Sequence, residues 1–160
     1  MFLNHLIQIH ILHLAKVSDA IRLGGTIEFT NREDGLPGMS EHYGMHFQDV
    51  KAVDGGLRYT AIQNDEVDVI DAFATDGLLE EFQLKVLQDD KQFFPPYYAV
   101  PLVREEVLKD HPEVAEALQL LAGKIDDAVM RELNYKVDSL KQSPEQTLRE
   151  FLVEEGLISE

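Results

Sequence analysis

A chain of 160 residues has the size of one domain or two small lobes, and its 44% hydrophobic and 28% charged residues are those of a folded protein rather than a disordered one. Its 14 Lys and Arg against 30 Asp and Glu give a formal charge of -16. That field repels phosphate backbones and anionic membrane surfaces over a Debye length of about 8 Å at physiological salt, which argues against nucleic acid as a partner. With no cysteine, disulfides, thiolate catalysis and sulfur-ligated zinc are excluded as well.

The opening MFLNHLIQIHILHLA is apolar but too short to span a bilayer, and it lacks the basic start and small-residue cleavage site of an export signal. From there on the pattern is α/β. IRLGGTIEF predicts a strand from about Arg22 to Phe29, followed by the loop NREDGLPG and a short helix near Met39 to Tyr43 closed by Gly44. HFQDVKAV reads as a short strand, and Asp54 is placed to cap a helix through LRYTAIQN. VDVIDAFAT is the clearest buried strand, with Val67, Val69, Asp71 and Phe73 on one face; a helix from Leu78 to Phe82 and a strand LKVLQ follow. DDKQFFPPYYAVP is too rich in proline and aromatics for a helix interior and reads as an extended crossover. Beyond it, helices are expected near Glu105, Pro112 and Asp126. A further one starts at Ser143, where Ser143 and Gln146 have capping-box spacing and Leu148, Phe151 and Leu152 form the apolar face before Gly156.

Few constellations carry chemistry. His10 and His13 have the spacing to share a helix face and a metal, with His5 near, but no acidic residue accompanies them in that segment; His42 and His46 are interrupted by Gly44. Asp71 and Asp76 lack a nucleophile, a phosphate-cradling loop or metal-ligand spacing, and Asp76 is better read as a helix cap. The aromatic residues are the stronger signal. A quaternary ammonium has no N–H to donate and is held by the faces of several rings, each worth about 0.5 to 2 kcal/mol. Phe73 and Tyr97 or Tyr98 are candidates for such a site, although composition alone favours a core role for Phe73, Phe93 and Phe94.

The blocks GGTIEFTNREDGLPG, VDVIDAFATDG, LKVLQDDKQFFPPYYAVPLVREEVL and MRELNYKVD, running in this order from about Ile21 to the C-terminus, resemble successive blocks of the substrate-binding proteins of glycine betaine, carnitine and choline ABC importers. The resemblance implies an α/β, periplasmic-binding-protein-like (type II) architecture. Residues 21–83 would be its second lobe, 84–104 a crossover and 105–160 the helical C-terminal segment of the first lobe, with 1–20 an unassigned leader. Block by block it assigns Arg32 to lobe closure or an anionic group and Tyr97 to an aromatic wall. Phe73 takes a position where relatives usually carry Tyr, which keeps a π face there but supplies no hydroxyl. Thr75 and Tyr98 complete the implied ligand-binding residues.

The function implied is reversible binding of a quaternary ammonium osmolyte for an ABC permease, outside the cytoplasmic membrane, with no cofactor, no metal and no reaction performed. The N-terminal part of the family's first lobe has no counterpart, so a truncated or frame-disrupted reading frame or a dissected domain is expected. The alternative is a non-binding remnant acting at most as a protein-interaction module. In either case an exposed helical face would invite a homodimer.

Overall fold

The computed structural model describes residues 10–98 and 100–159; His5 and the rest of the apolar opening lie outside them. The chain forms two compact units, one running to Phe73 and resuming over Phe82–Pro95, the other made of Ala74–Glu81 and Pro96–Glu160.

The first unit is built on three parallel strands, β1 (Arg22–Thr26), β2 (Asp49–Val53) and β3 (Val69–Ile70), in the order β2-β1-β3. β1 runs in register with β2 from Arg22 opposite Asp49 to Thr26 opposite Val53, and Leu23 and Gly24 face Val69 and Ile70 of β3. Parallel neighbours cannot be joined by a tight hairpin, so each connection carries helix: α2 (Ile27–Asn31) and α3 (Leu36–Tyr43) between β1 and β2, α4 (Leu57–Gln63) between β2 and β3. Arg22 fixes the start of β1, its backbone N–H and its guanidinium both donating to Asp68 at 2.8 to 2.9 Å. That hydrogen bond, against some cost of burial, holds the Asp68 carboxyl below its usual range.

One side of the sheet closes over Ile21, Leu23, Leu36, Met39, Tyr43 and Met45, together with Ile11 and Leu14 of α1 (Ile11–Ala15). The residues from His10 onward, expected to belong to a leader, are therefore part of the core. They follow the helical rule, with the two buried positions three apart, and the Ile11 N–H donates to the Gln88 carbonyl at 2.9 Å.

Several expected elements are shorter, each for a local reason. The strand foreseen to Phe29 stops at Thr26, whose hydroxyl accepts the Phe29 N–H at 3.2 Å and caps α2. The Asp54 carboxylate does not cap α4: the N-cap residue is Gly56, and Asp54 contributes only its backbone carbonyl, which accepts the Leu57 N–H at 2.9 Å in the preceding turn. VDVIDAFAT pairs only through Val69 and Ile70. Val67 is 2% exposed and Phe73 63%, so the alternation that put both on one face does not persist beyond Asp71. LKVLQ forms no strand, and Gln88 makes only an isolated bridge to His10. Gly44, at φ 69°, ends α3 as expected.

The second unit contains α5 (Leu78–Glu81), α6 (Glu105–Asp110), α7 (Glu113–Gln119), α8 (Asp127–Asp138) and α9 (Pro144–Glu154). Asp126 caps α8 by accepting the N–H groups of Ala128 and Val129, both at 2.9 Å. Ser143 caps α9 by accepting from Gln146 N–H at 3.1 Å. The Gln146 side chain does not return the bond; it donates forward to Glu150 at 2.8 Å, so only half of the expected box forms. On α9 the buried residues are Thr147 and Phe151, while Leu148 is 48% exposed. The residues before and within α5 are stitched to α8: Arg131 Nε donates to the Ala74 carbonyl at 2.7 Å and Asn134 Nδ2 to the Thr75 carbonyl at 2.8 Å.

This stitching requires glycine at position 77, where a Cβ would stand 2.4 Å from the Tyr135 nitrogen and 2.6 Å from the Asn134 carbonyl carbon. Gly77→Ala is expected to cost on the order of 1 to 3 kcal/mol, as overpacking against backbone does. Gly56→Ala, where φ is -73° and nothing lies within 4 Å of the added carbon, should be neutral or stabilise by about 0.5 kcal/mol. Urea midpoints of the two variants check the contrast; equal midpoints would refute it.

Candidate functional site

Because the three strands are parallel, their carboxyl ends share one edge. The chain leaves β1 toward β2 and then crosses to β3 on the other side. The reversal lies between β1 and β3, and open α/β sheets bind ligands outside the strand ends at such a switch point. Here the position is organised by Asp71. Its Oδ1 accepts the Thr26 N–H at 2.9 Å and its Oδ2 the Thr26 hydroxyl at 3.3 Å. Arg58, 5% exposed on α4, brings Nε to 3.9 Å from Oδ1 and lays its guanidinium 5.2 Å from the Tyr59 ring centroid. Asp71 is thus a structural anchor with both oxygens engaged.

Two of the ligand-binding residues implied by the sequence, Phe73 and Arg32, belong to this unit. Phe73, two residues past Asp71, is 63% exposed and outside the core. Arg32 is the C-cap residue of α2, and its guanidinium pairs with the Asp34 carboxylate through Nε at 2.8 Å and through Nη2. That pairing holds the Asp34 carboxyl below its usual range. Both side chains are more than half exposed, so water screens the pair and another anion can exchange for Asp34 at little cost.

Thr75, Tyr97 and Tyr98 belong to the second unit. Thr75 is half-buried with its carbonyl engaged by Asn134, whereas Tyr97 is 62% and Tyr98 82% exposed in an extended segment. A cleft of about 390 Å³ in this unit is lined by Glu80, Ala128, Glu132 and Tyr135 and includes none of the three. Its carboxylates are already committed, Glu80 to Arg131 at 3.7 Å and Glu132 to Lys136 at 3.0 Å.

The QDDKQFF segment has a different task. Asp89 accepts from the Tyr43 hydroxyl and, at 2.8 Å, from the Phe94 N–H, and the Lys91 N–H donates to the Tyr43 oxygen at 2.8 Å. Burial raises the Tyr43 phenol to about 12, so it remains a donor throughout the physiological range. Burial works against the Asp89 carboxylate, but the Tyr43 hydroxyl and the Phe94 and Phe93 amides outweigh it and leave its pKa lowered. Asp90 meets His10 Nδ1 at 2.6 Å and accepts the Leu12 N–H at 3.0 Å, capping α1 from a distance because His10 makes no side-chain cap. Phe93 and Phe94 pack half-buried against the core. Among the described residues no three His, Asp or Glu are grouped to hold a metal.

Arg58 and the tasks of Asp71, Asp89 and Asp90 were missed in the sequence. Arg58 had a signal: it stands three and four residues before Ala61 and Ile62 on the inward face of α4, an unusual place for a cation.

Known proteins bear on this arrangement. The profile of the substrate binding domain of the ABC-type glycine betaine transport system matches residues 10–154. The chain belongs to this family. The match begins at α1, ahead of the Ile21 at which the sequence resemblance starts. The chain is 45% identical over 135 residues to the glycine-betaine-binding protein of Pseudomonas aeruginosa, covering 83% of this chain and 43% of that protein. To the ergothioneine transport permease/ergothioneine binding protein of Helicobacter pylori it is 39% identical over 144 residues, 90% of this chain and 26% of that one. A carnitine transport binding protein of Listeria monocytogenes is 38% identical over 140 residues, 87% and 46% of the two chains. A crystal structure of a glycine betaine/carnitine/choline ABC transporter superposes with a TM-score of 0.84 at 38% identity, covering 94% of this chain and 56% of that chain. The chain thus spans roughly a quarter to a half of the length of these curated relatives. The α/β architecture is that of periplasmic-binding-protein-like domains, and the family is one of transporter substrate-binding domains rather than enzymes.

The Asp89 anchor predicts an acid response. A carboxyl whose pKa is lowered on folding adds stability that is present above its unfolded value of about 3.9 and is lost as pH falls through the folded value. Asp34, Asp68, Asp89 and Asp90 are all lowered, so the protein should lose stability steeply below about pH 4. Asp89→Asn should cost about 2 kcal/mol at neutral pH and flatten that acid limb. Urea titrations at several pH values read both, and an unchanged acid limb would rule out the anchor.

Proposed function

We propose that this chain is the solute-binding part of an ABC importer for glycine betaine, carnitine or choline, and that Phe73 in the first unit and Tyr97 and Tyr98 in the second are each available as an aromatic face for a trimethylammonium group. The observation carrying this reading is the exposure of Phe73, Tyr97 and Tyr98, at 63%, 62% and 82%, in a chain of this family. Burying such rings against the core would have stabilised the fold by about 2 kcal/mol each, so their exposure is a cost that a ligand can offset. A quaternary ammonium suits them because it needs no hydrogen-bond acceptor and gains from each π face. Arg32 of the first unit offers an anion contact by exchanging Asp34 for the ligand carboxylate, and Thr75 is a further ligand-binding candidate in the second unit. In this reading the first unit is the second lobe of a type II binding protein, with a membrane permease as partner and the work done outside the cytoplasmic membrane. No helix among the described residues is long and apolar enough to cross a membrane, so attachment would rest on that partner or on protein beyond these residues.

Isothermal titration with the three solutes tests the reading. Phe73→Leu and Tyr97→Leu, which keep apolar bulk and lose the π face, should each weaken binding about 2- to 30-fold, and Phe73→Tyr should not. Arg32→Gln should weaken glycine betaine and carnitine more than choline, which has no carboxylate. No heat with any of the three solutes would sink the proposal.

One observation favours a second reading, in which the chain acts through protein contact. Val100 and Leu102 are 74% and 98% exposed beside Pro101, and an apolar segment left in water invites a second copy or a sister subunit. Sedimentation at rising concentration decides: a dimer lost in Leu102→Ser supports it, and a strictly monomeric profile removes it.

A further inference from the structure

We infer that Asp71 is a positioning residue for the proposed ligand site: one carboxylate sets how both the segment bearing Phe73 and the helix ending at Arg32 leave the sheet. The inference rests on the binding reading above and goes beyond it in naming what orients the site.

Four observations converge on this carboxylate. Asp71 follows β3 directly and is held to β1 by its own N–H, which donates to the Gly24 carbonyl at 3.3 Å. Its side chain receives two donors from Thr26, the backbone N–H at 2.9 Å and the hydroxyl at 3.3 Å. Thr26 is also the N-cap residue of α2, with the same hydroxyl oxygen accepting the Phe29 N–H at 3.2 Å. A hydroxyl has one proton to give; turning it toward Asp71 aims a lone pair at Phe29, so the carboxylate fixes the cap as well as the strand exit. Arg58 of α4 reaches the carboxylate from a third element at 3.9 Å.

The two proposed ligand residues of this unit then lie on short, stiff levers. Phe73 is two residues from the anchor. Arg32 is the C-cap of a five-residue helix whose first turn is capped by Thr26, the residue the anchor holds, and that helix is too short to hold its direction by propensity alone. Neither residue is buried in the core, and the backbone that carries each of them departs from the sheet next to the anchor. A small rotation at Asp71 would move both, and misplacing a binding group by about 1 Å costs far more than the bond that held it.

The test is titration of glycine betaine into the 160-residue chain and into Asp71→Asn, Thr26→Val and Thr26→Ser, each confirmed folded by circular dichroism. Asp71→Asn and Thr26→Val are expected to bind about 10-fold weaker or worse while folded, and Thr26→Ser, which keeps the hydroxyl, to stay within about 2-fold of wild type. A merely structural role would lower the melting temperature and leave the affinity of the folded protein untouched; that result overturns the inference. Should Asp71→Asn fail to fold, Thr26→Val decides. Amide hydrogen exchange of the ligand-free chain reads the tether independently of any ligand: Asp71→Asn should speed exchange at Thr26 and Phe29 about 10-fold, and unchanged exchange overturns the tether. Absence of wild-type binding would refute the binding reading alone, because accelerated exchange would still support the tether.

Discussion

The parallel pairing of β1 with strands on both sides is the constraint from which the rest of the first unit follows. A central strand flanked by β2 and β3 is covered on both faces, and Leu23, Gly24 and Gly25 are accordingly all buried. Gly24 lets the sheet close tightly, since a Cβ there would stand 3.1 Å from a Val67 methyl. With all strands parallel, every connection must return the chain to the same end, and every departure lies on the other edge. Thr26, Val53 and Ile70 therefore deliver the chain to one rim, and the residues that follow them are the natural place for groups that act on something outside the protein.

That rim shows two opposed uses of polar and apolar side chains. Arg58 is buried and the Asp71 side chain only 14% exposed, while Phe73, Ile27 and Leu57 are apolar and at least 57% exposed. Each inversion is unfavourable in isolation. Burying charge is tolerated only where partners satisfy it, and here Thr26 and Arg58 do so for Asp71. Exposing large apolar groups is tolerated singly, and here one follows the end of each of three adjacent strands. The two inversions belong together: the buried polar network specifies the backbone directions that keep the apolar groups outside.

The strand-helix alternation through β3 and the C-terminal helices were legible in the sequence because hydrophobic period, Gly and Pro are local signals, whereas α1, α2 and the absence of a strand at LKVLQ were not. Gly44, Asp126 and Ser143 ended or began helices where chain chemistry alone placed them. Strand length was not legible. VDVIDAFAT keeps its alternation to Phe73, yet pairing stops at Ile70 because Asp71 turns to Thr26, a contact across 45 positions that no window contains. For the same reason the His10–Ala15 segment looked detached: its cap, Asp90, lies 78 residues away from the Leu12 amide it receives. The exposed rings were legible as candidates from the chemistry of a quaternary ammonium, but composition favoured core for the phenylalanines and the family resemblance was needed to weigh against it. Phe93 and Phe94 went to the core and Phe73 did not.

The charge of -16 adds a constraint on any ligand that local geometry by itself does not supply. A long-range field acts on net charge. Choline carries one positive charge and is drawn toward an acidic surface in a way that salt screens, whereas glycine betaine and carnitine are zwitterions with no net charge for the field to grip. If attraction by the surface were the whole of recognition, this chain would favour choline over its zwitterionic analogues. Preference for a zwitterion must come from a short-range cation that meets the carboxylate within a few ångströms, where local geometry outweighs the surrounding field. Arg32, exposed and paired with a carboxylate two residues away in sequence, has the chemistry for that task, and its planar fork suits a carboxylate better than a lysine would.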